Sequence, residues 1–349
     1  MSTITAHERP GVYASYEASA LTVGSRRGGG VAVVAAATGS GLAEHYSWNS
    51  YSRAVADVGE CVLSNLAQLA LRNGAGTVYG VPVAEGDYTA AFAVAAALEG
   101  IAVVVCDSTQ LTVQQGLRDM VEECAQARKE RIAVVAGAAN ESVADLVERA
   151  QGLNHERVVL VAPGCVDAEG TAQGGTQCAA ALAGAIAGST DPALPLNGAQ
   201  LYGMEGLESA YDDSDIDTLV RGGVTPLEAL AGSCYVVRAV TTRTTTGGAA
   251  DATWRELTTI LVVDEVIPGI RDALRARFTR AKNTEQTRGA IRSQVVMELE
   301  DRVSRELIDG YEDVTAQPLP ADPTVCLVEF AFTVAHGLNQ IWLSAYITV

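Results

Sequence analysis

Between Thr77 and Gly188 the chain alternates short apolar runs with stretches of helical period, and this alternation restricts it to folds that layer helices on a sheet. Strands are expected at Thr77 to Val83, Ile101 to Cys106, Arg131 to Ala136 and Arg157 to Ala162. Between them Leu117, Val121, Cys124 and Ala125 share one helical face, as do Val143, Leu146, Val147 and Ala150. A mostly parallel sheet covered by helices is the economical arrangement. Ala179 to Gly188 is nearly all Ala, Leu, Ile and Gly, which suits a buried helix in close contact with its neighbours.

A length of 349 residues favours about two folded bodies with peripheral segments. The glycines Gly28, Gly29 and Gly30 read as a hinge entering a buried strand at Val31 to Ala37. Asp191 to Gly198 is a turn-rich exit, and Asp212, Asp213, Asp215 and Asp217 mark a surface loop or a helix start. A second body is expected from about Cys234, with strand character at Tyr235 to Thr244 and a flexible loop at Thr244 to Ala250. One helix carries Ile270, Leu274 and Phe278, with Pro268 in its first turn, and another carries Ile291, Val295, Leu299, Val303 and Leu307. The predicted fold class is α/β: a layered body over 21–232, a C-terminal α+β domain over 233–334, and extended arms at 1–20 and 335–349.

Both ends are β-prone. Arg9-Pro10-Gly11 disfavours helix, and Val12 to Ser19 is strand-like but too short to own a core. At the other end, Thr324 to Val334 alternates through Val325, Leu327, Glu329, Ala331 and Thr333. A turn over Ala335 to Asn339 then leads to a last strand candidate, Gln340 to Val349. A terminal strand can complete its own sheet or add to a neighbouring subunit's edge, and spacing alone leaves both open.

No catalytic or ligand-binding constellation accompanies this frame. The net charge of −18 argues against a grip on nucleic acid or anionic lipid, which need clustered cations. Met1 to Arg9 has no signal-peptide core and the apolar runs are too short to span a bilayer, so a cytoplasmic origin is expected. Cys61, Cys106, Cys124, Cys165, Cys178, Cys234 and Cys326 lack metal-ligand spacing and read as buried thiols in a reducing compartment. His7, His45, His155 and His336 are scattered, and the aspartates at 212–217 lack the glycine and glutamate of a calcium loop. The glycine runs form neither a dinucleotide nor a Walker motif. Gly175 to Gly184 resembles the serine-bearing segment of subtilisin-like proteases, with Gln177 in the nucleophile's place. An amide cannot serve there, and no His or Asp completes a triad. No enzyme activity and no cofactor or metal is expected; the competing readings are an α/β hydrolase-like enzyme and another self-assembling shell or tube protein.

Several segments in order resemble the tail sheath proteins of contractile phages and related bacteriocins. They are Arg9-Pro10-Gly11-Val12-Tyr13; the helix around Ala179 to Gly188 followed by Pro195-Leu196-Asn197-Gly198 and Leu201-Tyr202-Gly203; Leu219 to Leu227; the strand ending in Arg243-Thr244; and the closing strands. Leu196 stands where the family usually has proline, and Thr225 where it often has asparagine. The resemblance implies a structural subunit that polymerises in stacked hexameric rings around a tail tube, contracts on baseplate triggering and drives the tube through a cell envelope. It implies arms, through Pro10, Gly11, Val12, Tyr13 and Tyr16 and through Ile341, Trp342, Leu343, Ala345, Tyr346 and Ile347, that add strands to a neighbour. The receiving strand would hold Val325, Leu327, Val328, Phe330 and Phe332. Implied partners are further copies of the chain, the tail tube protein, and baseplate and tail-terminator proteins, with no nucleic acid and no membrane. The implied setting is a virion or tail-like particle assembled in the bacterial cytoplasm.

Overall fold

The apolar run from Gly30 lies at the heart of a nine-stranded sheet in the computed structural model, which describes residues 29–39, 41–166, 170–204 and 206–339. In chain order β1 (Gly30–Ala36), β2 (Tyr46–Trp48), α1 (Tyr51–Val58) and α2 (Val62–Arg72) come first. The predicted alternation follows as β3 (Val78–Val83), α3 (Tyr88–Ala97), β4 (Ile101–Cys106), α4 (Leu111–Gln126), β5 (Ile132–Ala136), α5 (Val143–Leu153) and β6 (Val158–Ala162). The short strands β7 (Cys165–Val166) and β8 (Ala172–Gly174) precede α6 (Thr176–Gly188), β9 (Gln200–Leu201), β10 (Gly206–Leu207), α7 (Asp213–Arg221), β11 (Val224–Leu230) and β12 (Ser233–Val236). After the small hairpin of β13 (Thr245–Thr246) and β14 (Ala249–Ala250) come α8 (Leu257–Phe278), α9 (Glu285–Ser304), β15 (Ile308–Leu319) and β16 (Asp322–Val334).

The sheet order is β2-β3-β1-β4-β5-β6-β11-β12-β9. The six strands from β3 to β11 run parallel, and β2 and β12 join antiparallel to their neighbours. Because successive strand residues face opposite sides, Val31, Val33 and Ala35 meet Leu66, Ala70, Leu182 and Ile186 of α2 and α6. On the other side Ala32 and Val34 meet Phe92, Leu117, Val121 and Leu146 of α3, α4 and α5. The fit of α6 on α2 is closest at Gly184, where a Cβ would lie 2.3 Å from the Ala70 carbonyl oxygen and 2.9 Å from its Cα. Backbone cannot yield as a side chain can, so Gly184→Ala is expected to cost about 1–3 kcal/mol by overpacking. Urea unfolding at an unchanged m-value checks it, and a loss under about 0.5 kcal/mol would mean that the helices separate freely.

A third core is formed by α8, α9, β15 and β16, with Val266, Ile270, Val295, Leu299, Ile308 and Phe330 at its centre. The amino-terminal part of α8, including Leu257, Ile260 and Leu261, packs instead into the core under the sheet. One helix therefore belongs to two cores.

Several expectations are corrected. Cys234 to Val236 does not open the second body: β12 pairs with β11 and extends the main sheet. Pro268 lies deep inside α8, because the helix begins at Leu257. Leu307 falls beyond the end of α9, and β15, which the periodicity did not predict, follows at once. Gly29 and Gly30 form a close approach in place of a hinge. Both are buried; a Cβ on Gly29 would lie 2.2 Å from that of Ala102, and one on Gly30 would lie 2.6 Å from the Tyr79 ring. Gly28 lies outside the described residues, as do the predicted amino-terminal arm and residues 340–349 of the carboxy-terminal one. The aspartate run does start a helix: Asp212 and Asp215 form a capping box on α7.

Candidate functional site

The feature that the fold leaves least complete is the antiparallel hairpin of β15 and β16. Their strands are 12 and 13 residues long, yet they form a sheet of only two among the described residues. Register runs from Ile308↔Val334 to Leu319↔Asp322, with irregularities that include a bulge between Glu312 and Thr315. Within that bulge Val314 turns into the third core and Asp313 adopts φ 52°, a region that Asp enters more easily than most residues.

The residues predicted as receivers lie on both faces of β16. Phe330 is buried in the third core, and Val328 and Phe332 pack against that core half-buried. Val325 is 40% exposed on the opposite face, where Leu327 is half-buried. Their backbone offers one edge to β15 and the other to no described strand. A two-stranded sheet gains little stability by itself; this one is held by α8 and α9 on its inner side. Near the hairpin turn, Asn283 Nδ2 donates to the carbonyls of Pro323 at 2.8 Å and Val325 at 3.2 Å, fastening the α8–α9 connection to the start of β16.

The chain leaves β16 along the body. Asn197 Nδ2 donates to Asn339 Oδ1 at 2.7 Å, the Gly198 amide donates to the Val236 carbonyl at 2.7 Å, and Gly337 packs so closely on Pro195 that a Cβ would lie 2.1 Å from its Cγ. The Pro195-Leu196-Asn197-Gly198 segment thus seats residues 335–339, the first part of the predicted carboxy-terminal arm, on the body. No local signal marks that pairing, since its partners are 142 positions apart.

The hairpin's orientation on the body is set through α8. Arg157, at the foot of β6, donates from Nη1 and Nη2 to the two carboxylate oxygens of Asp264 at 2.7 and 2.8 Å, with both residues buried. Arg271 pairs with Glu130 at 2.6 Å beside it. A Cβ on Gly269 would meet the Arg302 guanidinium at 2.1 Å, so α9 crosses α8 where the side chain is absent.

The titratable groups outside this region are structural. Cys178 is fully buried beside Cys165, and that neighbouring thiol together with burial holds its pKa well above the ordinary value, the opposite of an activated nucleophile. Gln177 is half-buried in the first turn of α6. Burial depresses His155, whose Nδ1 accepts from the Arg157 amide at 3.0 Å. Burial also raises Cys106 from 9.0 to about 12. At pH 8 Cys106 is therefore expected to resist iodoacetamide in the native protein and to react on unfolding. The same shift favours the native state below pH 9, and that contribution is lost as pH rises from 9 towards 12. Alkylation of native Cys106 at pH 8, read by peptide mass, would contradict the buried placement. Among the described residues no three His, Cys, Asp or Glu side chains form a metal-binding group, and no helix is long and apolar enough to cross a membrane.

The fold is similar to that of solved tail sheath proteins. It matches the sheath tail protein of Desulfitobacterium hafniense with a TM-score of 0.67 at 14% identity, over 93% of this chain and 100% of that one. It matches the helical sheath of the anti-feeding prophage in its contracted state with a TM-score of 0.74 at 14% identity, over 98% and 99%. In sequence the chain is 25% identical over 234 residues to a tail sheath protein of Bacillus phage SP01; the match spans 65% of this chain and 39% of that protein. The family descriptions "Phage tail sheath protein central domain" and "Phage tail sheath C-terminal domain" match residues 82–242 and 249–348. The chain belongs to the phage tail sheath family, a family of structural tail proteins and not of enzymes.

Proposed function

We propose that the chain is the sheath subunit of a contractile tail, in a phage or a phage-like particle assembled in the bacterial cytoplasm. It would polymerise as stacked hexameric rings around a tail tube, meet baseplate and tail-terminator proteins at the ends, and shorten to drive the tube through a cell envelope. No cofactor would be consumed. The observation that carries this reading is the long hairpin with edges that no described strand pairs, followed by residues 335–339 seated on the body. Strand addition would link copies through many backbone hydrogen bonds, and such a link persists while rigid bodies rotate about it. The residues 1–20 of one copy, and those of its carboxy-terminal arm beyond Asn339, would reach the β16 edge of a neighbour.

Negative-stain micrographs of the purified full chain test this. Wide helical tubes or stacked rings are expected. Thin tubes, closed shells or persistent monomers would favour a different assembly.

A further inference from the structure

The C-terminal core is electrically polar. Residues 271–292 hold seven Arg or Lys and two carboxylates, whereas residues 306–334 hold six carboxylates and no Arg or Lys, in a chain of net charge −18. The fold separates most of these groups, although Asp322 lies in the hairpin turn and Glu285 at the start of α9, both at the basic end. The Asn283 bonds bring the hairpin turn to the α8–α9 connection, so Arg280 and Lys282 sit at one end. Asp309 and Glu312 lie at the other end, where β15 pairs with residues 331–334. At about 3.3 Å per strand residue the two ends are roughly 20–30 Å apart.

Local helix electrostatics explain only part of this. Arg275 and Arg277 complement the carboxy-terminal end of α8, but Arg280 and Lys282 lie past it, and Arg288 and Arg292 occupy the first two turns of α9, where a helix favours carboxylates. Arg280, Lys282 and Arg292 are exposed, as are Glu306, Asp309 and Glu312, and no ion pair with another described residue engages any of them. Exposed like charges gathered at each end raise the energy of the isolated subunit, and contact with the opposite sign relieves it.

We propose that the basic α8–α9 tip of one copy docks on the acidic open end of the β15–β16 hairpin in a second copy. The contact is head-to-tail. Heterologous contacts of this kind close into rings or propagate as helices, so the proposal deepens the sheath reading and rests on it for self-assembly. The contact would steer copies into register before the slower pairing of strands, because charge complementarity acts mainly on encounter rate and specificity.

The test is sedimentation velocity of the purified full chain from about 0.05 to about 0.5 M salt, a range over which screening shortens from beyond to below a typical contact distance. Association should weaken as salt rises. The tip variant R280E/K282E and the hairpin variant D309K/E312K should each associate at least tenfold more weakly at low salt while melting with the wild type. A one-to-one mixture of the two, or a chain carrying all four changes, should recover association. Unchanged association in either variant, no recovery on combination, or a loss confined to the tip variant would overturn the proposal; the last would mean that the tip serves a different acidic protein. Wide tubes formed equally well by every variant would leave the sheath reading standing and remove this contact alone.

Discussion

Ending the chain at Gln340, or starting it at Gly11, is expected to leave a protein that melts with the full chain and forms no tubes. The hydrophobic cores of the described residues extend no further than β1 at one end and Val334 at the other. The bonds that seat residues 335–339 on Asn197 and Pro195 survive both truncations. What is lost is the segment proposed to add a strand to a neighbour. Each backbone hydrogen bond adds only about 0.5–1.5 kcal/mol net, but a strand of several residues makes several such bonds at every subunit, and a polymer needs all its links. Melting by circular dichroism together with negative-stain images checks the pair of outcomes. Tubes from either truncated chain would remove the arms from the linkage; a large fall in melting temperature would show that they complete their own fold instead.

Arg157→Ala and Asp264→Ala are each expected to destabilise the protein by about 3–5 kcal/mol, because each breaks a buried bidentate ion pair. The pair lies between β6 and α8 with both residues nearly inaccessible. Replacing both by apolar side chains of similar volume, Arg157→Met with Asp264→Leu, should recover most of that loss, since the desolvation of both charges disappears with their attraction. Urea unfolding of the two single variants and the double closes the cycle. Single-variant losses below about 1 kcal/mol would show that solvent reaches the pair.

The parts of the fold that were legible in the sequence are those whose environment is uniform along the element. Ile101–Cys106 is apolar at every position because both faces of β4 are covered, and its bounds could be read directly. The helices α4 and α5 each bury one face, so their period shows. By contrast β15 was hidden: Asp309, Gly310, Glu312, Asp313 and Pro318 break any strand pattern, and bulges shift its register so that buried residues no longer alternate. The start of α8 was hidden for the opposite reason. Ile260 to Ile270 is buried at every position between two cores, so no exposed face sets a period and Pro268 reads as the helix start. Gly29 and Gly30 look like freedom in sequence and act as clearance in space, a difference set by Ala102 and Tyr79, far along the chain. Of the candidate site, β16 was legible by its alternation, while the long-range pairs that orient it, Arg157 with Asp264 and Asn197 with Asn339, carry no local signature.

A helix whose two halves belong to different cores leaves no soft joint between them. Fraying the hairpin side of α8 would strip Val262 and Val266 from one core while pulling on Leu261 and Val263 in the other, so the two should open together in hydrogen exchange. In mechanical terms the folded subunit is a crank: a torque applied at the hairpin is carried through α8 to the nine-stranded sheet.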